Sequence, residues 1–324
     1  MRDEVMQYYG LAKAFKQADY LETDHARQLL KHVKGAILEG RLIALCGIVG
    51  SGKTMLLRRL QEELREENKV TVSKSLSVDK RRVTLGTLIA ALFYDLSSDK
   101  QKLKIPGQGE KRERDLRELV KKTRRPVVLF VDEAQDLNGN TLNGLKRLME
   151  VVEDGGGLLS VVLVGQPRLR YGLGRPTMEE IGYRTDVFDF EGVAGVQRPY
   201  IEWLLDNCSQ RDVEPDSILT EAAVDVFAEK LRTPLQIQWH LTRALEAGYE
   251  AGEKPVSVMV VESVLSRQLD DLEPTLKRLG FGVRDLAEQI DAKPTKIRAL
   301  FDNQLDPTRA TELRDRMLAA GLPV

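Results

Sequence analysis

The chain reads as an α/β protein, with a parallel-sheet core over residues 1–192 and an all-α remainder running to residue 324. Three features predict this. Short apolar runs alternate with helical patterns up to about residue 190, which implies strand–helix–strand units and a parallel sheet covered on both faces. A glycine-rich loop joins the first apolar run to the helix after it. Beyond Gly192 the strand signals stop and only helical spacing continues.

Taken in order, residues 1–40 read as helical, with Thr23 or Asp24 placed to cap a segment carrying Leu29 and Leu30. Residues 42–45 are a continuous apolar run, as a strand buried on both faces requires. An amphipathic helix is expected over 53–68, a second strand over 70–75 and a helix over 84–96. Pro106, Gly107 and Gly109 mark 99–109 as a loop before a charged helix at 111–123. Strands follow at 127–131, 158–164 and 187–190, with a helix over 141–152. Helices at 196–210, 220–231, 234–251 and 257–269 then form a lid, residues 193–272. The last part, 273–324, looks like a separable helical segment.

Bulk composition excludes several classes. With 42% hydrophobic and 31% charged residues the chain is neither disordered nor membrane-embedded in character. No apolar run reaches the ~18–20 residues that span a bilayer. Met1-Arg2-Asp3-Glu4 lacks the apolar stretch of a signal peptide. Cys46 and Cys208 are far apart and read as reduced, buried thiols. These points predict a cytoplasmic protein that makes no membrane contact. His25, His32 and His240 show no metal-ligand spacing. Trp203 and Trp239 fall on lid helices and are expected in the core. Net charge is −1, so attraction to nucleic acid has to come from a local basic patch.

Gly47-Ile48-Val49-Gly50-Ser51-Gly52-Lys53-Thr54 matches the phosphate-binding loop pattern in full. Its glycines let backbone N–H groups curl around phosphate oxygens where a side chain would clash. The helix that follows points its positive end at the same charge. ATP is therefore the expected cofactor. Its contacts are Gly47, Val49, Gly50, Ser51, Gly52, Lys53, Thr54 and Met55, with Lys53 on the β- and γ-phosphates. Mg²⁺ is expected on the Thr54 hydroxyl and, through water, on Asp132. Asp132 and Glu133 end an apolar run at 127–131 that delivers two carboxylates beside the phosphates. Glu133 is placed to polarise the attacking water as general base.

With these motifs the sequence resembles the AAA+ ATPases of the ExeA type, and within them the transposition regulators TnsC, TniB and MuB. The resemblance rests on Tyr9-Gly10-Leu11 with Tyr20-Leu21 and His25, on Asp132-Glu133-Ala134-Gln135-Asp136-Leu137, and on Val162 through Arg170. It also rests on Thr233-Pro234-Leu235-Gln236-Ile237 and His240 through Leu245. It implies a P-loop AAA+ core, an all-α lid and a slow ATPase that depends on assembly. It further implies that Gln166 reads the γ-phosphate and that Arg184 is an arginine finger for a neighbouring subunit. His25 would flank the adenine. The arginine such proteins often carry after the lid proline is replaced by Leu235. Either Arg232 or Arg243 substitutes for it, or sensing of the γ-phosphate within the subunit is weak.

The resemblance also places Lys74, Lys80, Arg81 and Arg82 facing the channel of a ring or helical filament, where they would grip double-stranded DNA through its phosphates. A second basic stretch runs from Lys100 to Arg125, partly balanced by interleaved acids. Near the end, Leu286, Ala287, Ile290, Ala292, Ile297 and Leu300 fall where a helix-turn-helix buries its residues, with Asp291 where the turn usually holds glycine. A helical tail packed on the lid, or a docking tail for a partner protein, fits the same residues. The function implied is an ATP-dependent regulator of DNA transposition. It would form a homo-oligomer on DNA, recruit a transposase and meet a target-selection protein. A secretion-associated ATPase like ExeA, or a signalling or initiator ATPase that reads a DNA sequence, are the alternatives.

Overall fold

A computed structural model describes residues 1–74, 83–97, 105–265, 272–302 and 304–322. The elements in chain order begin with α1 (Asp3–Tyr9), α2 (Asp24–Leu38), β1 (Leu42–Cys46), α3 (Lys53–Glu67), β2 (Thr71–Lys74), α4 (Leu85–Leu96) and α5 (Gly109–Thr123). Next come β3 (Val127–Val131), α6 (Gly139–Asp154), β4 (Leu159–Gly165), α7 (Pro167–Leu173), α8 (Glu179–Gly182) and β5 (Thr185–Asp189). Helices complete the chain: α9 (Gln197–Cys208), α10 (Glu221–Lys230), α11 (Pro234–Ala251), α12 (Val258–Val264), α13 (Leu272–Arg278), α14 (Val283–Gln289), α15 (Pro294–Phe301) and α16 (Pro307–Ala319). None of the described helices is long and apolar enough to cross a membrane.

Two compact units divide the chain. One comprises Glu22–Gly47 and Gly52–Gly192, the other Met1–Leu21, Ile48–Ser51 and Val193–Val324.

The first unit holds a five-stranded sheet in the order β2-β3-β4-β1-β5. All its pairings are parallel. Successive side chains of a strand point to opposite faces, and the apolar runs divide accordingly. Leu42, Ala44, Val127, Leu129, Val131, Val161 and Leu163 join one cluster with Leu88, Leu92 and Leu145. Ile43, Leu45, Val128, Phe130, Val162 and Val164 join the other with Leu30, Val33, Leu56 and Leu60. Each Val, Leu, Ile or Phe side chain so buried contributes roughly 1.5–3 kcal/mol. Helix starts follow from local chemistry. The Thr23 and Asn138 side chains accept hydrogen bonds from Ala26 N and Thr141 N to cap α2 and α6. At the sheet edge, Asp95 of α4 accepts from Ser73 Oγ at 2.7 Å and from Lys74 N at 3.2 Å, which pins the end of β2.

The second unit is all-helical. Ile201, Leu204, Phe227, Ile237, Leu241 and Leu245 form its core, and Val5, Tyr9, Leu11 and Phe15 belong to the same cluster. Tyr9 donates to Glu253 O at 2.7 Å, and Ala12 N donates to Cys208 O at 2.8 Å. The N-terminal 21 residues thus pack with the lid helices within this unit. The segment from α13 onward belongs to this unit as well. Trp203 packs against the cluster, but Trp239 is 56% exposed, contrary to the expectation of a core residue. Two further helices, α7 and α8, follow β4 where no element had been expected, and β5 starts at Thr185, before the anticipated 187.

Candidate nucleotide site

Three parallel strands end on one edge of the sheet, and each end leads into a motif. β1 ends at Cys46 and enters the glycine loop, β3 ends at Val131 before Asp132, and β4 ends at Gly165 before Gln166. Register explains the spacing. Val131 lies level with Leu163, and Gly165, two residues further on, lies level with Cys46. Ligands of open α/β sheets bind at such carboxyl ends.

Within the sheet unit, Gly47 N donates to Gly165 O at 3.1 Å, tying the loop's start to β4. Gly52 has φ +97° and Gly50 has φ +81°, values costly for any residue with a Cβ. Lys53 donates from Nζ to Gly47 O at 2.7 Å, folding its side chain back over the loop. Removal from water pulls the Lys53 ammonium below its ordinary range, and the Glu133 and Asp132 carboxylates act in the opposite direction. Thr54 and Met55 open α3 and are exposed.

The loop's middle residues have their contacts in the helical unit. Val49 N donates to Arg278 O at 3.1 Å, and Leu235 N donates to Gly50 O at 3.3 Å. A Cβ on Gly50 would stand 2.8 Å from Leu235 Cβ and 3.0 Å from Thr233 Oγ1. Ser51 is buried, and its hydroxyl has no hydrogen-bond partner among the described residues. A buried hydroxyl left unpaired is costly. Together with two left-handed glycines, it fits a loop shaped to take phosphate oxygens. The exposed Thr54 hydroxyl and the half-buried Asp132 offer hard oxygen donors of the type Mg²⁺ prefers.

At the end of β3, Glu133 has φ +54°, a left-handed conformation uncommon for such a residue. Its N–H donates to Asp132 Oδ1 at 2.9 Å. Gln135 was not among the expected site residues, yet it links the two neighbouring strand ends. Its Nε2 donates to Glu133 Oε2 at 2.7 Å, and its Oε1 accepts from Gln166 N at 3.1 Å. Gly165 makes room for it, since a Cβ there would lie 2.7 Å from Gln135 Oε1. Gln166 starts α7, with Pro167 in the first turn, so position 166 is held through its backbone. His25 lies in the same unit, 3.2 Å from Asp189 O through Nε2 and stacked on Phe190.

Arg184 lies elsewhere. It precedes Thr185, which is level with Leu42 at the amino end of β1. The loop begins at the other end, after Cys46. Five strand residues at about 3.3 Å each put the two ends roughly 16 Å apart. Arg184 is exposed and donates to Glu150 Oε1 at 2.6 Å. It borders a surface cavity of about 370 Å³ with Arg41, Lys146, Glu150 and Tyr183.

Lys74 is exposed at the end of β2, whereas Lys80, Arg81 and Arg82 lie outside the described residues. So do Lys100, Lys102 and Lys104 of the second basic stretch. The two candidate substitutes for the lid arginine both lie in the helical unit. Arg232 is exposed, with its backbone N–H on Gln236 Oε1. Arg243 lies over the Trp239 ring and near Glu246.

Residues 37–172 match a family model described as an AAA domain. General secretion pathway protein A of Aeromonas hydrophila is 32% identical over 173 residues, which is 51% of this chain and 29% of that protein. The chain therefore spans under a third of that relative's length. Among solved structures, Cdc6p from Pyrobaculum aerophilum matches with a TM-score of 0.51 at 17% identity, over 99% of this chain and 85% of that one. The Aeropyrum pernix Orc1 protein, solved in complex with DNA, gives 0.48 at 17% identity over 94% and 85% of the two chains. The fold is thus a P-loop AAA+ α/β fold, and residues 37–172 match the AAA domain model.

Proposed function

We propose that this chain, whose residues 37–172 match the AAA domain model, is an ATP-dependent regulator of DNA transposition. In the ATP state it assembles as a ring or helical filament on duplex DNA, marks the target and recruits a transposase. Hydrolysis then disassembles it. The observation that carries the ATPase part is the meeting of the glycine loop, Asp132–Glu133 and Gln166 at adjacent strand ends. In this reading Lys53 neutralises the β- and γ-phosphates, and Thr54 and Asp132 hold Mg²⁺, which offsets phosphate charge as it redistributes. Glu133 orients the attacking water and accepts its proton, while Gln166 contacts the γ-phosphate. Arg184, some 16 Å of strand away from the loop of its own subunit, completes the site of a neighbour. Its surface ion pair with Glu150 costs little to release.

The regulatory part is supported by the motif resemblance and by Leu235, which stands where such proteins often carry the lid arginine. A secretion-associated ATPase is the second reading, favoured by the 32% identity to General secretion pathway protein A. Electron microscopy of the protein with duplex DNA and a slowly hydrolysed ATP analogue separates the two. Rings or filaments on DNA are expected, and failure to assemble with any nucleotide would remove the transposition reading.

A further inference from the structure

The C-terminal helices carry a second basic surface that the nucleotide site does not use. α14 and α15 are joined by the four residues 290–293. Asp291 takes φ +48° in this turn, the left-handed position usually given to glycine. Ala292 N donates to Ala287 O at 2.7 Å, closing α14 with a bond across five residues. Pro294 then opens α15, where its missing N–H costs nothing. Leu286, Ala287, Ile290, Ile297 and Leu300 are buried, and so are Leu313 and Met317 of α16. Arg316 of α16 donates to the carbonyls of Ile290 and Asp291, so the third helix holds the turn's shape. The segment is a helix-turn-helix in burial, in turn conformation and in support from a third helix.

Charge is unevenly spread over it. Residues 292–301 contain Lys293, Lys296 and Arg298 and no acid. All three are exposed, as is Thr295, and none of the three cations has an ion-pair partner among the described residues. The acids lie on α14 (Asp285, Glu288), in the turn (Asp291) and on α16 (Glu312, Asp315), and Asp302 comes only after the last residue of α15. At 100° per residue, Thr295, Arg298 and Ala299 share the face opposite Ile297 and Leu300, with Lys296 at its flank. That is the face a recognition helix turns to the major groove. A protein-docking helix would need exposed apolar anchors, whereas this face offers a hydroxyl, a methyl and cations.

We infer that α14 and α15 form a duplex-DNA site of their own, separate from any DNA contact made in an assembled ring. α15 lies in the major groove, and Lys293, Lys296 and Arg298 pair with phosphates along its rim. The site acts in the single subunit and needs no nucleotide.

The test compares the full chain with a K293A/K296A/R298A variant on short duplexes without nucleotide, by fluorescence anisotropy over a range of salt. Each lost phosphate contact lowers the slope of log affinity against log salt by about 0.9. The variant should therefore bind at least about tenfold more weakly, with a slope lower by roughly 2–3. Basal ATP turnover and helical content should be unchanged, because alanine suits the exposed helix positions 296 and 298 and the Lys293 side chain makes no cap hydrogen bond. The inference falls if the wild-type chain does not bind short duplexes without nucleotide, or if the variant keeps its affinity and slope. It also falls if the variant loses capture of a transposase while its DNA binding is intact. ATP-dependent assembly of the wild-type chain on long DNA is scored separately. Assembly with an unaffected variant leaves the regulator reading standing and rejects the α15 site; a weakened variant without assembly does the reverse.

Discussion

Gln135→Ala isolates the link between the two carboxyl-terminal strand ends. The amide of Gln135 holds Glu133 Oε2 at 2.7 Å and accepts from Gln166 N at 3.1 Å. It reaches both because Gly165 leaves the space that a Cβ would take at 2.7 Å. In the proposed ATPase, Gln135 touches neither nucleotide nor water. It is a positioning residue that aims the Glu133 carboxylate. A hydrogen bond to a charged group is worth about 1.5–3 kcal/mol. If that energy orients the base in the transition state, its loss lowers kcat by roughly 10- to 150-fold. KM for ATP should move less than about twofold, because Lys53 and the loop amides are untouched. The assay is single-turnover phosphate release at saturating ATP with DNA, alongside equilibrium binding of a fluorescent ATP analogue. The decisive measurement is a cycle with Glu133→Gln. If Gln135 works through Glu133, adding Gln135→Ala to Glu133→Gln lowers kcat no further. A multiplicative loss, or an unchanged kcat in the single variant, refutes the reasoning. Gly165→Ala should reproduce the kinetic defect by displacing the amide, at a stability cost of about 1–3 kcal/mol from overpacking.

Other perturbations test neighbouring parts of the account. Arg184→Ala should leave ATP affinity unchanged and stability within about 1 kcal/mol, since it loses only a surface ion pair. Assembly-stimulated turnover should fall by about 10³-fold or more, and unchanged turnover would remove Arg184 from the site. Lys53→Met should abolish the thermal stabilisation by ATP, worth about 2.7 kcal/mol at a hundred times the Kd. The nucleotide-free protein should unfold no earlier than wild type, because burial already disfavours the Lys53 charge; a lower nucleotide-free Tm would contradict this. Burial pushes the Cys208 thiol up from 9.0 to about 11 and the Cys46 thiol up to about 12. Both folded values lie above the unfolded one. Their contribution is thus fully present below pH 9 and is lost as pH rises through the raised values. By pH 10 each thiol should cost on the order of 1 kcal/mol. Chemical denaturation between about pH 8.5 and 10.5 should show this fall, shallower in Cys208→Ala, and equal slopes for the two proteins would exclude it.

The sequence made the sheet and the nucleotide motifs legible for a physical reason. A phosphate cradle is built by consecutive backbone groups, so Gly47–Thr54 announces itself. A strand buried on both faces has to be a continuous apolar run, so residues 127–131 do too. What depended on register or tertiary pairing stayed hidden. Gln135 acquires its role only because β3 and β4 end side by side, with Val131 level with Leu163. Nothing in the sequence around Tyr9 announces that its hydroxyl donates to Glu253 O, far along the chain. Trp239 looked like a core aromatic. However, α11 buries Ile237, Leu241, Ala244 and Leu245, and Trp239 stands 200° around the helix from Ile237.

The same helix bears on how the switch is timed. The lid meets the loop through Leu235, whose N–H takes Gly50 O and whose side chain leaves no room for a Cβ at that glycine. Val49 N is likewise taken by a carbonyl, that of Arg278. The Leu235 contact is to the loop backbone and brings no side-chain charge to it. A lid arginine would be attracted to the γ-phosphate and would relax when it left; Leu235 has no such electrostatic difference to register. In the proposed cycle, loss of the γ-phosphate is then felt mainly through Lys53 and Gln166 in the sheet unit and through a neighbour's Arg184. A subunit outside an assembly would have little to drive it from the ATP state. Leu235→Arg supplies the missing charge. It should raise the turnover of the unassembled chain and shorten the life of the ATP-bound assembly, and an unchanged lifetime would show that the timing is set elsewhere.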